Sequence, residues 1–177
     1  VPTSGYLIVT EGDSLTSGYD IDPEDSYPAQ LMDSLVGDYT LTDISEPGEG
    51  IAGMLPEIAS MLALYDAGKT NILCLWAGTN DLHNSTAVAT VEADYQDYCE
   101  QAQAAGFSVV AFTILPRSNV GTPVGFEAAR QTFNTWLRTN YATFADALAD
   151  VAANTDIGEN GDSDNLTYYR ADKVHMT

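Results

Sequence analysis

The sequence predicts an α/β protein, a three-layer α/β/α sandwich around a central five-stranded parallel sheet, on three observations. Short β-rich runs alternate with longer amphipathic runs five times along the chain. The central β-rich runs are almost continuously apolar, as parallel strands covered on both faces should be. And 177 residues without a linker-like stretch or internal repeat make one domain, 1–177, large enough to bury roughly 70% of its unfolded surface.

Each element has its own warrant. Residues 6–10 (Tyr-Leu-Ile-Val-Thr) read as a buried strand closed by Gly12, and residues 39–44 alternate in character, which suits a strand nearer an edge. Leu55, Ile58, Leu62 and Tyr65 recur at helical spacing, with Pro56 placed in a first turn and Gly68 as the stop. Residues 71–76 are a second buried strand, followed by a long helix over 87–105 that is rich in alanine and acidic residues and ends at Gly106. Residues 108–115 are a third buried strand. Phe126, Ala129, Phe133, Trp136 and Leu137 form another apolar stripe, and a last short strand falls within 144–151. Ligands of such folds bind beyond the carboxyl ends of the strands, so the residues just after each strand are the ones to inspect.

Charge narrows the function classes. Six Lys and Arg stand against 26 Asp and Glu, a formal net charge of -20. Such a surface repels phosphate backbones and anionic headgroups, so neither nucleic acid nor a membrane is an expected partner, and neutral esters are favoured over polyanions. The longest apolar runs are too short to cross a bilayer. Few lysines and many carboxylates suit a secreted, extracellular protein, and a chain starting at Val1 suits a processed terminus. Cys74 and Cys99 are too few for a disulfide framework or a Cys-rich zinc site and read as two buried thiols.

Four short blocks follow the strands. They are Glu11-Gly12-Asp13-Ser14-Leu15-Thr16, then Gly48-Glu49-Gly50-Ile51-Ala52-Gly53, then Gly78-Thr79-Asn80-Asp81, and finally Asp172-Lys173-Val174-His175 near the C-terminus. Gathered at one rim they supply a hydroxyl, an imidazole with a carboxylate three residues before it, a side-chain amide, and glycines that bare backbone N–H groups. Those are the parts of an acyl-transfer site. A serine hydroxyl needs a base to take its proton as it attacks, and the chain has only His83 and His175 for that work. His175 has the acid placed to hold its ring. Alone, Ser14 could simply cap a helix, Asn80 occupy a turn, and Gly53 serve the backbone. Asp13 and Asp81 can hold loops through backbone N–H groups, and His83 reads as a loop histidine that could reach the pocket. Tyr168 and Tyr169, just before Arg170, could line a pocket or pack.

Taken together and in this order, the blocks resemble the SGNH/GDSL hydrolase family, from Ser14 to His175. The resemblance implies the flavodoxin-like sheet order 2-1-3-4-5. It implies Ser14 as nucleophile, His175 as base and Asp172 as its orienting carboxylate, with the N–H groups of Ser14 and Gly53 and the Asn80 amide forming the oxyanion hole. Asp13, His83 and Tyr169 are the further substrate-contacting candidates. No cofactor or catalytic metal is called for. The implied substrate is a small-molecule or carbohydrate ester with a short acyl group, acetyl above all. Competing readings are a lysophospholipase or thioesterase type of lipolytic enzyme and a carbohydrate-binding relative without turnover. Two departures stand out: Gly48 replaces the asparagine that often opens the glycine block, and the sequence reaches only Thr177, two residues after His175, where the resemblance implies a further helix, so that either the sequence is cut short there or that face is covered in another way.

Three other motifs need weighing. Gly48 to Gly53 spells G-x-G-x-x-G, but the strand that follows ends Trp76-Ala77-Gly78, without the acid that holds a ribose, so a dinucleotide site is not expected. Residues 156–164 place Asp156, Asn160, Asp162 and Asp164 at spacings that could hold a structural calcium, although Thr167 stands where the bidentate glutamate of such loops belongs. Asn84-Ser85-Thr86 and Asn165-Leu166-Thr167 are glycosylation sequons, relevant to a eukaryotic secretory source. The charge itself makes a prediction: screening relieves self-repulsion, so the melting temperature in molar NaCl exceeds that at low salt. A melting temperature indifferent to salt would contradict it.

Overall fold

All five strands run parallel, in the order β2-β1-β3-β4-β5, in a computed structural model that describes residues 5–177. They are β1 (Tyr6–Gly12), β2 (Tyr39–Asp43), β3 (Thr70–Trp76), β4 (Ser108–Phe112) and β5 (Ala147–Ala149). β1 lies between β2 and β3 with Val9 opposite Thr42 and Leu73, and β4 joins β3 with Val109 opposite Leu73. Strand order reverses beside β1, so the crevice at its carboxyl end is where a doubly-wound sheet places its ligand.

One face is thickly covered. Leu7, Val9, Leu73, Leu75, Val109 and Ala111 pack under α3 (Ile51–Leu62), α5 (Val88–Ala104) and α6 (Phe126–Asn140). Their buried stripes are Ile51, Met54, Ile58 and Met61, then Val91, Tyr95, Tyr98 and Cys99, then Phe126, Phe133 and Leu137. The other face has α2 (Tyr27–Ser34), whose Tyr27 ring meets Trp76 at 5.7 Å and Phe112 at 5.6 Å. Cys74 and Cys99 are free, buried thiols. Among the described residues no helix is long and apolar enough to cross a membrane.

Several details differ from the sequence expectation, among them the end of the helix after the second strand, which stops at Leu62 short of Tyr65 and Gly68. α2 was not expected from periodicity; its signals are the Ser26 cap, whose hydroxyl accepts from the Ala29 N–H, and Pro28 in the first turn. α3 begins at Ile51, so Pro56 stands inside the helix, not in its first turn. The early start is set from outside the helix: the Asp81 carboxylate accepts from the Ile51 N–H at 2.8 Å and the Ala52 N–H at 3.4 Å, two of the donors a helix leaves unpaired. Finally β4 stops at Phe112: the Thr113 N–H still reaches the Ala149 carbonyl, but the Thr113 carbonyl accepts from the Trp76 ring and the groups of Ile114 are claimed elsewhere. Asn134 on α6 accepts from the Ile114 N–H at 2.8 Å, and both Asn134 and the fully buried Arg130 donate to the Ile114 carbonyl.

The carboxyl ends of the central strands are held by buried polar groups. Tyr95 donates to the Leu75 carbonyl at 2.7 Å and accepts from the Phe112 N–H at 3.1 Å, which ties β3 to β4. Tyr98 donates to the buried Glu11 carboxyl at 3.0 Å. Burial pushes the Glu11 pKa up to about 7, although the Tyr98 hydroxyl and the Gly12 N–H both favour its charge. A carboxyl raised in the fold but ordinary in the unfolded chain stabilises the protein below the ordinary carboxylate range and loses that contribution as pH rises towards 7. Glu11→Gln, which still accepts from Tyr98, is therefore expected to raise the melting temperature at pH 8 by about 5 °C, on the order of 2 kcal/mol, and to change it little at pH 4. Equal shifts at both pH values in a thermal melt would contradict the account.

Candidate active site

Three loops and the C-terminal segment meet at the carboxyl end of β1. Asp13 caps the short helix α1 (Ser14–Ser17) by accepting from the Leu15 N–H at 2.9 Å, so Ser14 is the first helical residue rather than the cap. Its backbone N–H makes no hydrogen bond to the described residues. The Ser14 hydroxyl is 2.8 Å from His175 Nε2, and His175 Nδ1 is 2.6 Å from Asp172 Oδ2. A carboxylate can only accept, so Nδ1 carries the hydrogen and the neutral ring presents Nε2 as acceptor to the Ser14 hydroxyl.

The segment carrying these two residues is tied back at several points. Asp172 Oδ1 accepts from the Val174 and His175 N–H groups, both at 3.0 Å, across a turn in which Lys173 takes a φ of 61°. The Arg170 N–H donates to the His175 carbonyl, and its guanidinium donates to the Asp20 carbonyl and pairs with the Asp20 carboxylate. Lys173 pairs with Asp164 at 2.7 Å. Burial works against the charge on Asp172, but the His175 ring and the two N–H groups outweigh it and hold the carboxyl below its ordinary value. An ionised Asp172 keeps the ring in the orientation that serves Ser14.

Asn80 and Asp81 open α4 (Thr79–His83) and reach in two directions. Asn80 Nδ2 donates to the Glu49 carbonyl at 2.9 Å and to Asp13 Oδ2 at 3.3 Å. Asp81 caps α3, and the approach is so close that a Cβ on Gly50 would fall 2.6 Å from its carboxylate. Only glycine fits there. Between them Gly48 takes a φ of +87°, and its N–H makes no hydrogen bond among the described residues. Ser14, Tyr19, Pro47, Gly48, Asn80, Arg117, Val174 and His175 line one cleft of about 310 Å³.

Gly53 is a correction. Its N–H donates to the Gly50 carbonyl at 2.9 Å in the first turn of α3, and it does not line the cleft. The Asp81 cap draws the helix start forward to Ile51 and so takes Gly53 out of the loop. The free N–H beside Ser14 and Asn80 belongs to Gly48.

The other candidates also move. Asp13 is buried and bonded to Leu15 and Asn80, so it holds the loop instead of facing the cleft. Burial pushes its pKa up to about 7, against the Leu15 N–H and the nearby charge of Arg117. Tyr169 is fully buried, its hydroxyl donating to the Ile157 carbonyl at 2.6 Å. His83 ends α4 outside the cleft, half-buried beside Gly121, and burial with the Arg117 charge pushes its pKa down. The expected calcium loop does not assemble: Asp162 accepts from the Glu159 N–H, Asp164 is taken by Lys173 and Ser118, and no group of three or more His, Cys, Asp or Glu among the described residues could hold a metal ion. Two cleft residues had escaped sequence reasoning. Tyr19 places its ring 5.3 Å from His175, and Arg117 follows the fourth predicted strand, residues 108–115, where the rule of reading past strand ends would have found it.

Comparison with known proteins gives a family and a fold. The model of the GDSL-like lipase/acylhydrolase family matches residues 12–177. No curated protein matches the sequence. Among solved structures, TesA superposes with a TM-score of 0.75 at 21% identity, over 97% of this chain and 89% of its own. A member of the lipolytic G-D-S-L family from Veillonella parvula gives 0.77 at 19%, over 97% and 90%. The psychrotrophic esterase EstA from Pseudoalteromonas gives 0.73 at 20%, over 97% and 87%.

The reassigned glycine can be checked by stability. Gly53→Ala adds a helix former inside α3, and its Cβ meets only the flexible end of Glu49, at 2.9 Å. It is expected to raise the melting temperature by about 2 °C, whereas Asp81→Ala, which uncaps the same helix, lowers it by about 3 °C or more. A destabilising Gly53→Ala in a thermal melt would return Gly53 to the loop.

Proposed function

This chain belongs to the GDSL-like lipase/acylhydrolase family, and from that premise we propose that it is a serine esterase releasing short acyl groups, acetyl foremost, from small-molecule or carbohydrate esters. The observation that carries the proposal is the relay of Ser14 Oγ, His175 and Asp172 at 2.8 and 2.6 Å. His175 Nε2 takes the hydroxyl proton as Ser14 Oγ attacks the ester carbonyl, and the C=O electron pair moves onto oxygen. The tetrahedral oxyanion is met by the N–H groups of Ser14 and Gly48, and by Asn80 Nδ2, which gives up its longer bond to Asp13. Each such donor is worth about 3 kcal/mol in the transition state.

Collapse expels the alcohol with the proton that His175 holds and leaves an acyl group on Ser14. Water, deprotonated by the same nitrogen, then releases the acid and restores the hydroxyl. No step calls for a metal or cofactor. The cleft, about 310 Å³, accommodates a small acyl group with part of its alcohol.

With 4-nitrophenyl acetate, Ser14→Ala is expected to lower kcat by about 10³-fold or more. Equal rates for variant and wild type would overturn the enzymatic reading in favour of a binding protein. Across 4-nitrophenyl esters from acetate to decanoate, kcat/KM should be greatest at the short end. A maximum at decanoate would instead make the enzyme lipolytic.

A further inference from the structure

Arg117 stands in the catalytic cleft with much of its donor capacity unspent. Of the four arginines, Arg130, Arg138 and Arg170 are each paired with a carboxylate, while Arg117 makes no ion pair among the described residues. In a chain with 26 acidic residues and six Lys and Arg, an unpaired guanidinium is conspicuous, because carboxylates are abundant and were not placed beside it. The two acids whose charge reaches it are committed elsewhere: Asp13 to Leu15 and Asn80, Asp172 to His175.

The guanidinium is nonetheless held in a defined position. Its Nε donates to Asn119 Oδ1 at 2.9 Å, and Asn119 is itself fixed by Thr122, whose hydroxyl donates to the same oxygen at 2.7 Å. Nη1 donates to Asn80 Oδ1 at 3.3 Å, and the Phe126 ring lies 6.0 Å from the guanidinium carbon. Two of the five guanidinium N–H groups are used, which leaves three without an acceptor among the described residues, in a cleft shared with Ser14 and His175. A guanidinium held at Nε and Nη1, with N–H groups of Nη1 and Nη2 still unspent, is a donor group suited to receive a carboxylate.

We propose that Arg117 is a specificity determinant that binds a carboxylate carried by the substrate, so that the preferred substrates are esters with one carboxylate close to the scissile bond. The proposal rests on the esterase reading above and deepens it. It is compatible with the net charge, since repulsion by the whole surface disfavours polyanions at long range, whereas a contact ion pair inside a cleft is little screened. The carboxylate can belong to either side of the ester, and the experiment separates the two.

Two matched pairs of probes test it, with rates corrected for spontaneous hydrolysis. Mono(4-nitrophenyl) glutarate and its methyl ester place the charge on the acyl side; 4-acetoxybenzoate and its methyl ester place it on the alcohol side. The quantity read is the ratio of kcat/KM for the charged over the neutral member, which cancels any loss of active enzyme. Arg117→Gln, which can still donate to Asn80, is expected to lower that ratio about tenfold in one of the pairs, the size of a charge-assisted bond, and Arg117→Lys to lower it less. If both ratios are unchanged in Arg117→Gln while the wild type hydrolyses the neutral esters and Ser14→Ala does not, Arg117 has no part in specificity and the esterase reading stands. A wild type inactive on all four esters and on 4-nitrophenyl acetate removes both.

Discussion

The dipeptide Asn80-Asp81 is the constraint on which the site depends. From the start of α4 it reaches the nucleophile loop through Asp13, the glycine loop through the Glu49 carbonyl, and the first turn of α3 through Ile51 and Ala52. Parallel strands deliver their loops to one rim but do not set the distances between them. Here a single turn of helix does so, and loss of its buried bond would leave the Ile51 N–H unpaired in a place water reaches poorly. Gly50 is the complement of Asp81, since any side chain there would displace the carboxylate.

A second layer fixes the loop after β4. Arg130 is fully buried, paired with Glu127 at 2.6 Å, and donates with Asn134 to the Ile114 carbonyl. That anchors the chain just ahead of Arg117, whose own bond to Asn80 closes the circuit back to the oxyanion side of the cleft. The cleft thus combines a relay with a guanidinium, in a molecule whose overall charge is -20. Within that negative field the cleft holds one guanidinium, which the carboxylates of Asp13 and Asp172 approach without pairing with it. Contact distances decide whether field or guanidinium wins at the reacting carbon, because Coulomb energy between exposed charges is screened within about 10 Å.

Much of this was legible in the sequence, and unevenly. The alternation of apolar and amphipathic runs implied the parallel sheet, and the blocks around Ser14, Asn80 and Asp172 to His175 pointed to residues that the fold brings to one rim. Gly53 shows where a string of glycines misleads: which N–H is free depends on where α3 begins, and a side chain 30 residues away decides that. Tyr169 and Tyr19 make the same point as a pair. Both are tyrosines near motif residues, yet one is fully buried in the core and the other, 53% exposed, stands beside His175. The acidic loop failed as a metal site because Asp164 turns towards Lys173 and Asp162 bonds its own turn, partners that spacing does not reveal.

By itself the sequence determined the fold class, the alternation of its main strands and helices, and the candidates Ser14, Asn80, Asp172 and His175. Those follow from periodicity, turn chemistry and the scarcity of histidine, all of which are local or countable. Tertiary structure alone decided which backbone N–H groups stay unpaired among the described residues, which polar side chains are buried, and that among those residues one arginine of four makes no ion pair with a carboxylate. Each of these is settled by the competition of every donor for every acceptor in the packed chain, and the outcome of that competition is written at no single position.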